Sequence, residues 1–293
     1  MAESGDQAAG LRRLFGREQS RIVTFAAGSV GVGKSLLVAN LAAALAQLGK
    51  EVLVLDETVK NSVAAYYGVR ATYDLQHVID RQKSLSDVLL TAAPSVRILA
   101  AARAVNKLGR LSPRQQQAFL ESVSGMRKPA DVILVNASLD HPLGFSPLGL
   151  AAHDTVIVIA PTSASITEAY ALIKKVSLGY ARKHFRILLN KVRGLEEAAA
   201  IHGNIAEVTQ SRGLARLVYT GFVPLDEQLR QSTRLSQPVV RLFPQAPAAR
   251  AYQTIAGDLL NWPLSGPDSG GLEQFVQQLL HLSRHIDPVA IYA

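Results

Sequence analysis

Runs of apolar residues recur along this chain, and the segments between them place apolar residues at the repeat of a helix. The runs Arg21–Ala27, Glu51–Leu55, Val96–Ala101, Asp131–Asn136, Thr155–Ala160, Phe185–Asn190 and Leu214–Thr220 read as strands. Three of them contain Leu53-Val54-Leu55, Val132-Ile133-Leu134-Val135 and Val156-Ile157-Val158-Ile159, which are continuous rather than alternating. Continuous apolar strands are those covered on both faces, as in a parallel sheet between helices. Ser35–Leu48, Ser112–Gly125, Ala164–Gly179 and Leu195–Gln210 have helical length and periodicity. The alternation predicts an α/β fold: a doubly wound, mostly parallel sheet of about seven or eight strands. Ligands of such a sheet sit at the carboxyl ends of its strands.

Two segments flank this core, which spans residues 21–262. Residues 1–20 hold a short polar helix candidate with Leu11, Leu14 and Phe15 on one side. At the other end, breaker-rich Asn261–Gly271 opens residues 263–293. There Leu272, Phe275, Val276, Leu279 and Leu280 recur at helical spacing opposite Gln274, Gln277, Gln278 and Arg284. This amphipathic helix has two readings: docking on the sheet, or reversible contact with a membrane or partner.

Composition narrows the picture. The 293 residues are 48% hydrophobic, enough for one large α/β domain with a small appendage. There is no cysteine, which excludes disulfides and thiolate metal sites and suits a reducing, cytoplasmic setting. Met1–Gly10 is polar and acidic, unlike a secretory leader. No apolar segment reaches the roughly 18–20 residues needed to span a bilayer. Lys and Arg number 31 against 23 Asp and Glu, a net charge of +8. That balance suits an acidic partner: a nucleotide, anionic lipid, nucleic acid or an acidic protein face. The basic residues are dispersed, with small clusters at Arg127-Lys128 and Arg182–Arg186. With no aromatic ladder and no paired zinc ligands, they argue against direct DNA binding. The histidines show no metal-ligand spacing, and no serine sits in a G-x-S-x-G elbow.

The strongest chemical signal is Gly28-Ser29-Val30-Gly31-Val32-Gly33-Lys34-Ser35, which fits the G-x-x-x-x-G-K-[ST] phosphate-loop pattern. It lies between a strand and a helix, the context this loop requires. Its glycines let backbone N–H groups turn toward phosphate oxygens, and the helix N-terminus adds its positive end. Lys34 is placed to reach the β- and γ-phosphates, and Ser35 to put a hydroxyl on Mg²⁺.

The chain resembles the MinD/ParA group of P-loop ATPases, a SIMIBI-class fold with a deviant Walker A loop. Within the group it is most similar to the flagellar-number regulators called FlhG, FleN or YlxH. Asp6-Gln7-Ala8-Ala9-Gly10-Leu11-Arg12 looks like their DQAxxLR segment, Glu168-Ala169-Tyr170-Ala171-Leu172-Ile173-Lys174 like their TDAYALIK helix, and Pro224-Leu225-Asp226 with Leu229-Arg230 and Pro238-Val239-Val240 like a late family stretch. The resemblance implies ATP or ADP with Mg²⁺ as cofactors and a face-to-face homodimer. It implies an amphipathic terminal helix that meets an anionic inner-membrane surface at the cell pole. It also implies partners: the SRP-type GTPase FlhF, flagellar C-ring switch proteins and a flagellar transcription activator. In the family the N-terminal segment stimulates FlhF, which assigns partner contacts to Asp6, Gln7, Leu11, Arg12 and Leu14. The resemblance further puts Asn190 on the adenine edge, a task suited to an amide's paired donor and acceptor. Lys191 and Arg193 line the same mouth, and Val223-Pro224-Leu225-Asp226 pass the other side of the base.

Three positions depart from the family pattern. Ser29 stands where the family has a lysine that crosses the dimer to the partner's phosphates, and Val30 replaces a glycine. Asp56 matches the first of two strand-end aspartates and is placed to hold a Mg²⁺ water or Ser35, but Thr58 falls at the second, which orients the attacking water. A hydroxyl cannot take a proton as a carboxylate does. Asn136 stands at the aspartate near Mg²⁺, and Ala137-Ser138-Leu139-Asp140 lacks the family's switch glycine. All three bear on sensing or cleaving the γ-phosphate rather than on holding the α- and β-phosphates. The expectation is a nucleotide-binding regulator of flagellar number and placement whose hydrolysis is slow or lost. A ParA-like partitioning ATPase and a nucleotide-independent scaffold are the alternatives.

Overall fold

The computed structural model describes residues 20–105, 111–117, 130–139 and 146–263, and near the chain's end 275, 277–279 and 281–282. The strands are β1 (Arg21–Ala26), β2 (Val52–Asp56), β3 (Leu90–Ala93), β4 (Val96–Ala100), β5 (Val132–Asn136), β6 (Asp154–Ile159), β7 (His184–Val192) and β8 (Arg216–Pro224). They form one sheet in the order β3-β4-β2-β5-β1-β6-β7-β8. Every pairing is parallel except β3 with β4. The central strands β1, β2, β5 and β6 are buried at every position, as their continuous apolar sequences demand.

The helices are α1 (Lys34–Gln47), α2 (Leu75–Ile79), α3 (Leu85–Val88), α4 (Pro147–Ala151), α5 (Ser163–Tyr180), α6 (Leu195–Ser211), α7 (Glu227–Arg234), α8 (Val239–Leu242) and α9 (Pro247–Asn261). On one sheet face Val23, Phe25, Val54, Leu134 and Val158 pack with Leu37, Leu41 and Leu45 of α1, Val240 of α8 and Tyr252, Ile255 and Leu259 of α9. On the other, Ile22, Leu53, Leu55 and Ile133 pack with α2, α3 and α4, while Ile157, Ile187 and Leu189 pack with α5 and α6. Helix α1 is buried almost all round because α9 covers its outer side. The helix that carries the phosphate loop is therefore a core element.

The parallel strands stand close to their sequence-based positions. The structure adds an antiparallel edge strand, β3, and a helical run α7–α9 that the sequence reading does not single out. Strand β8 runs to Pro224, beyond the expected Thr220; Gly221 at φ 130 shifts its register against β7 and masks the strand's pattern. Of the helix expected over Ser112–Gly125, residues 113–117 are helical and the remainder lies outside the described residues. The N-terminal residues Asp6, Gln7, Leu11, Arg12 and Leu14 also lie outside them, as does Asp140. Phe275 and Leu279 are 2% and 0% exposed, buried with Ile22, Leu148 and Ala151, and Leu282 packs nearby. Among the described residues no helix is long and apolar enough to cross a membrane.

Candidate nucleotide-binding site

The loop between β1 and α1 leaves the sheet at its centre. Gly31 and Gly33 hold left-handed conformations, φ 79 and 87, which only glycine adopts without strain. Gly28 is needed for space: a Cβ there would lie 2.2 Å from the backbone of Glu168 in α5. This is the place of the helix segment Glu168–Lys174, which packs its main chain against the loop's first glycine. Ser29 is half-buried, Val30 stands 85% exposed on the rim, and Val32 is buried below it.

The end of β7 grips the loop from the other side. Asn190 donates from Nδ2 to the Val32 carbonyl at 2.7 Å and accepts from Lys191 N–H at 3.1 Å. Lys191, at φ 63, reaches back so that its Nζ donates to the Gly31 carbonyl at 2.6 Å. A Cβ on Gly33 would meet Asn190 Nδ2 at 2.6 Å, so Asn190 and the loop are fitted to one another. The structure thus gives the Asn190 amide a loop-bracing bond, beside its expected place at the base. Pro224 pairs with Val192 in register, and Leu225 N–H donates to the Val192 carbonyl at 2.9 Å. The Pro224 segment therefore runs beside the end of β7. The Arg193 side chain is exposed at that same end.

Helix α1 begins at Gly33 with no side chain capping its first turn. Uncapped N–H groups at the positive end of a fourteen-residue helix, beside a glycine loop, form an anion seat. Lys34 points into it, 7% exposed. Its Nζ donates to Asn136 Oδ1 at 2.5 Å and to the Ala137 carbonyl at 2.6 Å. Burial lowers the Lys34 pKa to about 8, against the opposing pull of Asp56 and Glu57. A phosphate oxygen is a stronger partner for this ammonium than either neutral oxygen. The residues present fit a nucleotide's phosphates.

The strand ends facing the loop are arranged differently. Asn136 Nδ2 donates to Ser35 Oγ at 3.0 Å and Asp56 Oδ1 at 2.8 Å, with Thr58 Oγ1 at 3.2 Å. Asp56 Oδ1 also accepts from Thr58 N–H and Thr58 Oγ1, at 3.1 and 2.7 Å, and Oδ2 accepts from Val63 N–H at 2.6 Å. Thr58 is thus a partner of Asp56, its proton committed, rather than a group aimed at a water. Asp56 reaches Ser35 only through Asn136. A magnesium water shell needs free acceptors, and the groups expected to supply them, Ser35 and Asp56, are already accepting from the chain. Among the described residues no three His, Asp or Glu side chains are grouped to hold a metal.

Glu57, the next residue, turns the other way, as its direction along the chain implies. It accepts from Ser138 N–H at 2.8 Å and from the Ser146 hydroxyl, which in turn caps α4 by accepting from Gly149 N–H. Burial raises its pKa to about 7, against the lowering effect of those bonds and of Lys34. Its partners stand far along the chain, so no sequence pattern marks them.

Comparison with known proteins agrees with this fold. Residues 23–239 match the CobQ/CobB/MinD/ParA nucleotide binding domain. The chain is 31% identical over 273 residues to the antiactivator FleN of Pseudomonas aeruginosa, covering 92% of this chain and 97% of FleN. It is 23% identical to the flagellum site-determining protein YlxH of Helicobacter pylori, over 89% of this chain and 90% of that one. The septum site-determining protein MinD of Pyrococcus horikoshii, solved with Mg-ADP, superposes with a TM-score of 0.59 at 22% identity, covering 82% of this chain and 96% of MinD. With a phosphate loop, a doubly wound sheet and a family match across most of its length, the chain belongs to the MinD/ParA family of P-loop ATPases.

Proposed function

We propose that this chain is a nucleotide-binding regulator of flagellar number and placement that hydrolyses ATP slowly or not at all. The observation that carries the reading is the pairing of an intact phosphate seat at Lys34 with strand ends closed by Asn136 and Thr58. Likeness to FleN over nearly the full length of both chains, and to a protein named for flagellum site determination, supports the flagellar setting. In this reading the nucleotide is ATP or ADP, held at Gly28–Ser35 with Asn190 and Pro224 at its base. The N-terminal segment, through Asp6, Gln7, Leu11, Arg12 and Leu14, stimulates the SRP-type GTPase FlhF. C-ring switch proteins and a flagellar transcription activator are the further partners. Contact of residues 263–293 with an anionic membrane at the cell pole requires Phe275 and Leu279 to leave the core. A nucleotide-dependent homodimer would form without the cross-dimer lysine that Ser29 replaces.

The test measures GTP hydrolysis by FlhF with the full chain, with a chain lacking residues 1–20 and with Arg12→Ala. The full chain is expected to stimulate and the other two not to, while all three bind nucleotide alike. Stimulation that survives loss of residues 1–20 would remove the role assigned to that segment. An ATP turnover equal to that of active relatives would overturn the reading of Asn136 and Thr58.

A further inference from the structure

We propose that this site takes its nucleoside phosphate free of divalent metal, because Asn136 turns N–H groups toward the corner where a metal's water shell would need acceptors. The inference rests on the nucleotide-binding reading and adds to it. The orientation of Asn136 is set by its neighbour. The Lys34 ammonium can only donate, so the amide atom facing it at 2.5 Å must be Oδ1. The NH₂ group is thereby forced toward Ser35 Oγ, Asp56 Oδ1 and Thr58 Oγ1.

Each consequence weakens a metal's hold and leaves the phosphates served. Magnesium keeps several of its waters, and those waters donate outward to carboxylates. Asn136 offers them donors instead. Asp56 Oδ1 accepts from the Thr58 N–H, the Thr58 hydroxyl and Asn136, and Oδ2 accepts from Val63 N–H, so Oδ1 is fully engaged and one acceptor position is left on Oδ2. Ser35 accepts from Asn136, which leaves its own proton to donate to a phosphate oxygen. An amide in place of a carboxylate also takes away a negative charge that would repel the phosphates. The positive charge on the ligand's side comes from Lys34 and from the uncapped start of α1.

The experiment titrates a fluorescent ADP analogue into the full chain in excess EDTA and in excess magnesium chloride, with Lys34→Ala as the control that removes specific binding. The wild-type affinities are expected to agree within about threefold. Asn136→Asp restores a carboxylate, and its affinity is expected to rise at least about tenfold on adding magnesium. A wild-type chain that binds at least about tenfold tighter with magnesium overturns the inference, whatever the variant does. A wild-type chain that binds in neither buffer overturns the nucleotide reading and this inference with it.

Discussion

The phosphate loop and the strand ends that face it are bonded to each other, yet they are in opposite states of completion. On the loop side, Gly31 and Gly33 hold the main chain open, α1 starts without a side-chain cap, and Lys34 rests on two neutral oxygens. These groups gain by meeting an anion. On the strand side, Asp56, Thr58 and Asn136 satisfy one another, and Glu57 is spent on Ser138 and Ser146. Holding a phosphate and cutting one are therefore separable properties of the fold. The first depends on unsatisfied donors, which this chain keeps. The second depends on acceptors free to orient water, and here Asp56 Oδ1 and both Glu57 oxygens are already bonded within the chain.

The sharpest way to break that contrast is Lys34→Ala. Loss of a buried charge-assisted contact is expected to weaken ADP and ATP by about 100-fold or more, as read by titration calorimetry. Binding that stays within about tenfold would mean that the loop is not the phosphate seat.

The strand side is tested by pH. Glu57 has an ordinary pKa of 4.5, raised to about 7 by burial. The folded chain therefore holds this proton more tightly than the unfolded chain. The stabilisation is complete below pH 4.5 and is lost as pH rises to about 7. The loss is on the order of 3 kcal/mol. Glu57→Gln can keep both bonds, accepting from Ser138 N–H and donating to Ser146 Oγ. Urea unfolding across that range should show a falling stability in the wild type relative to the variant. Parallel curves would mean that burial does not hold the proton on Glu57. Lys34 has the opposite sign: its pKa falls from 10.5 to about 8, so its contribution recovers as pH rises above 8. Lys34 is charged below about 8 and Glu57 is neutral below about 7, so a bound phosphate should raise stability most below about pH 7.

Much of this was legible in the sequence, for physical reasons that differ by element. Strands β2, β5 and β6 show themselves because strands buried on both faces cannot hide their continuous Val, Leu and Ile. The phosphate loop shows itself because only glycine fits at Gly28, Gly31 and Gly33. The short edge strand β3 has only half-buried or exposed positions and so lacks a pattern to read. The identities of Asn136 and Thr58 signal a loss of carboxylate from sequence alone. That their amide and hydroxyl close around Asp56, and that Lys34 fixes the amide's direction, are facts of three-dimensional proximity. The pairing of Glu57 with Ser146, and the bracing of the loop by Asn190 and Lys191, belong to the same class.

Gly28→Ala probes the loop's support rather than its charge. The new Cβ would press on the main chain at Glu168, which no side-chain rotation can relieve. Overpacking of this kind is expected to cost about 2 kcal/mol in urea unfolding and to weaken ADP binding along with it. Full stability would show that α5 can move away from the loop, and the support would then be looser than the strand side.

The smallest effect should come from Lys191→Met, and it bears on how open the loop side is. The Lys191 ammonium is exposed at the loop rim and bonded to the neutral Gly31 carbonyl. An exposed ammonium keeps most of its hydration, so exchange of that carbonyl for a phosphate oxygen is worth about 1 kcal/mol or less. Removing the charge should weaken ADP about three- to fivefold, more at low salt than at high, and leave adenosine unchanged. Lys191→Arg should restore most of the loss, since the charge returns. If adenosine and ADP weaken equally, Lys191 serves only to brace Gly31, and the cationic face toward the phosphates reduces to Lys34 and the start of α1. The contrast between loop and strand ends would survive that result, with the anion seat confined to the buried side of the loop.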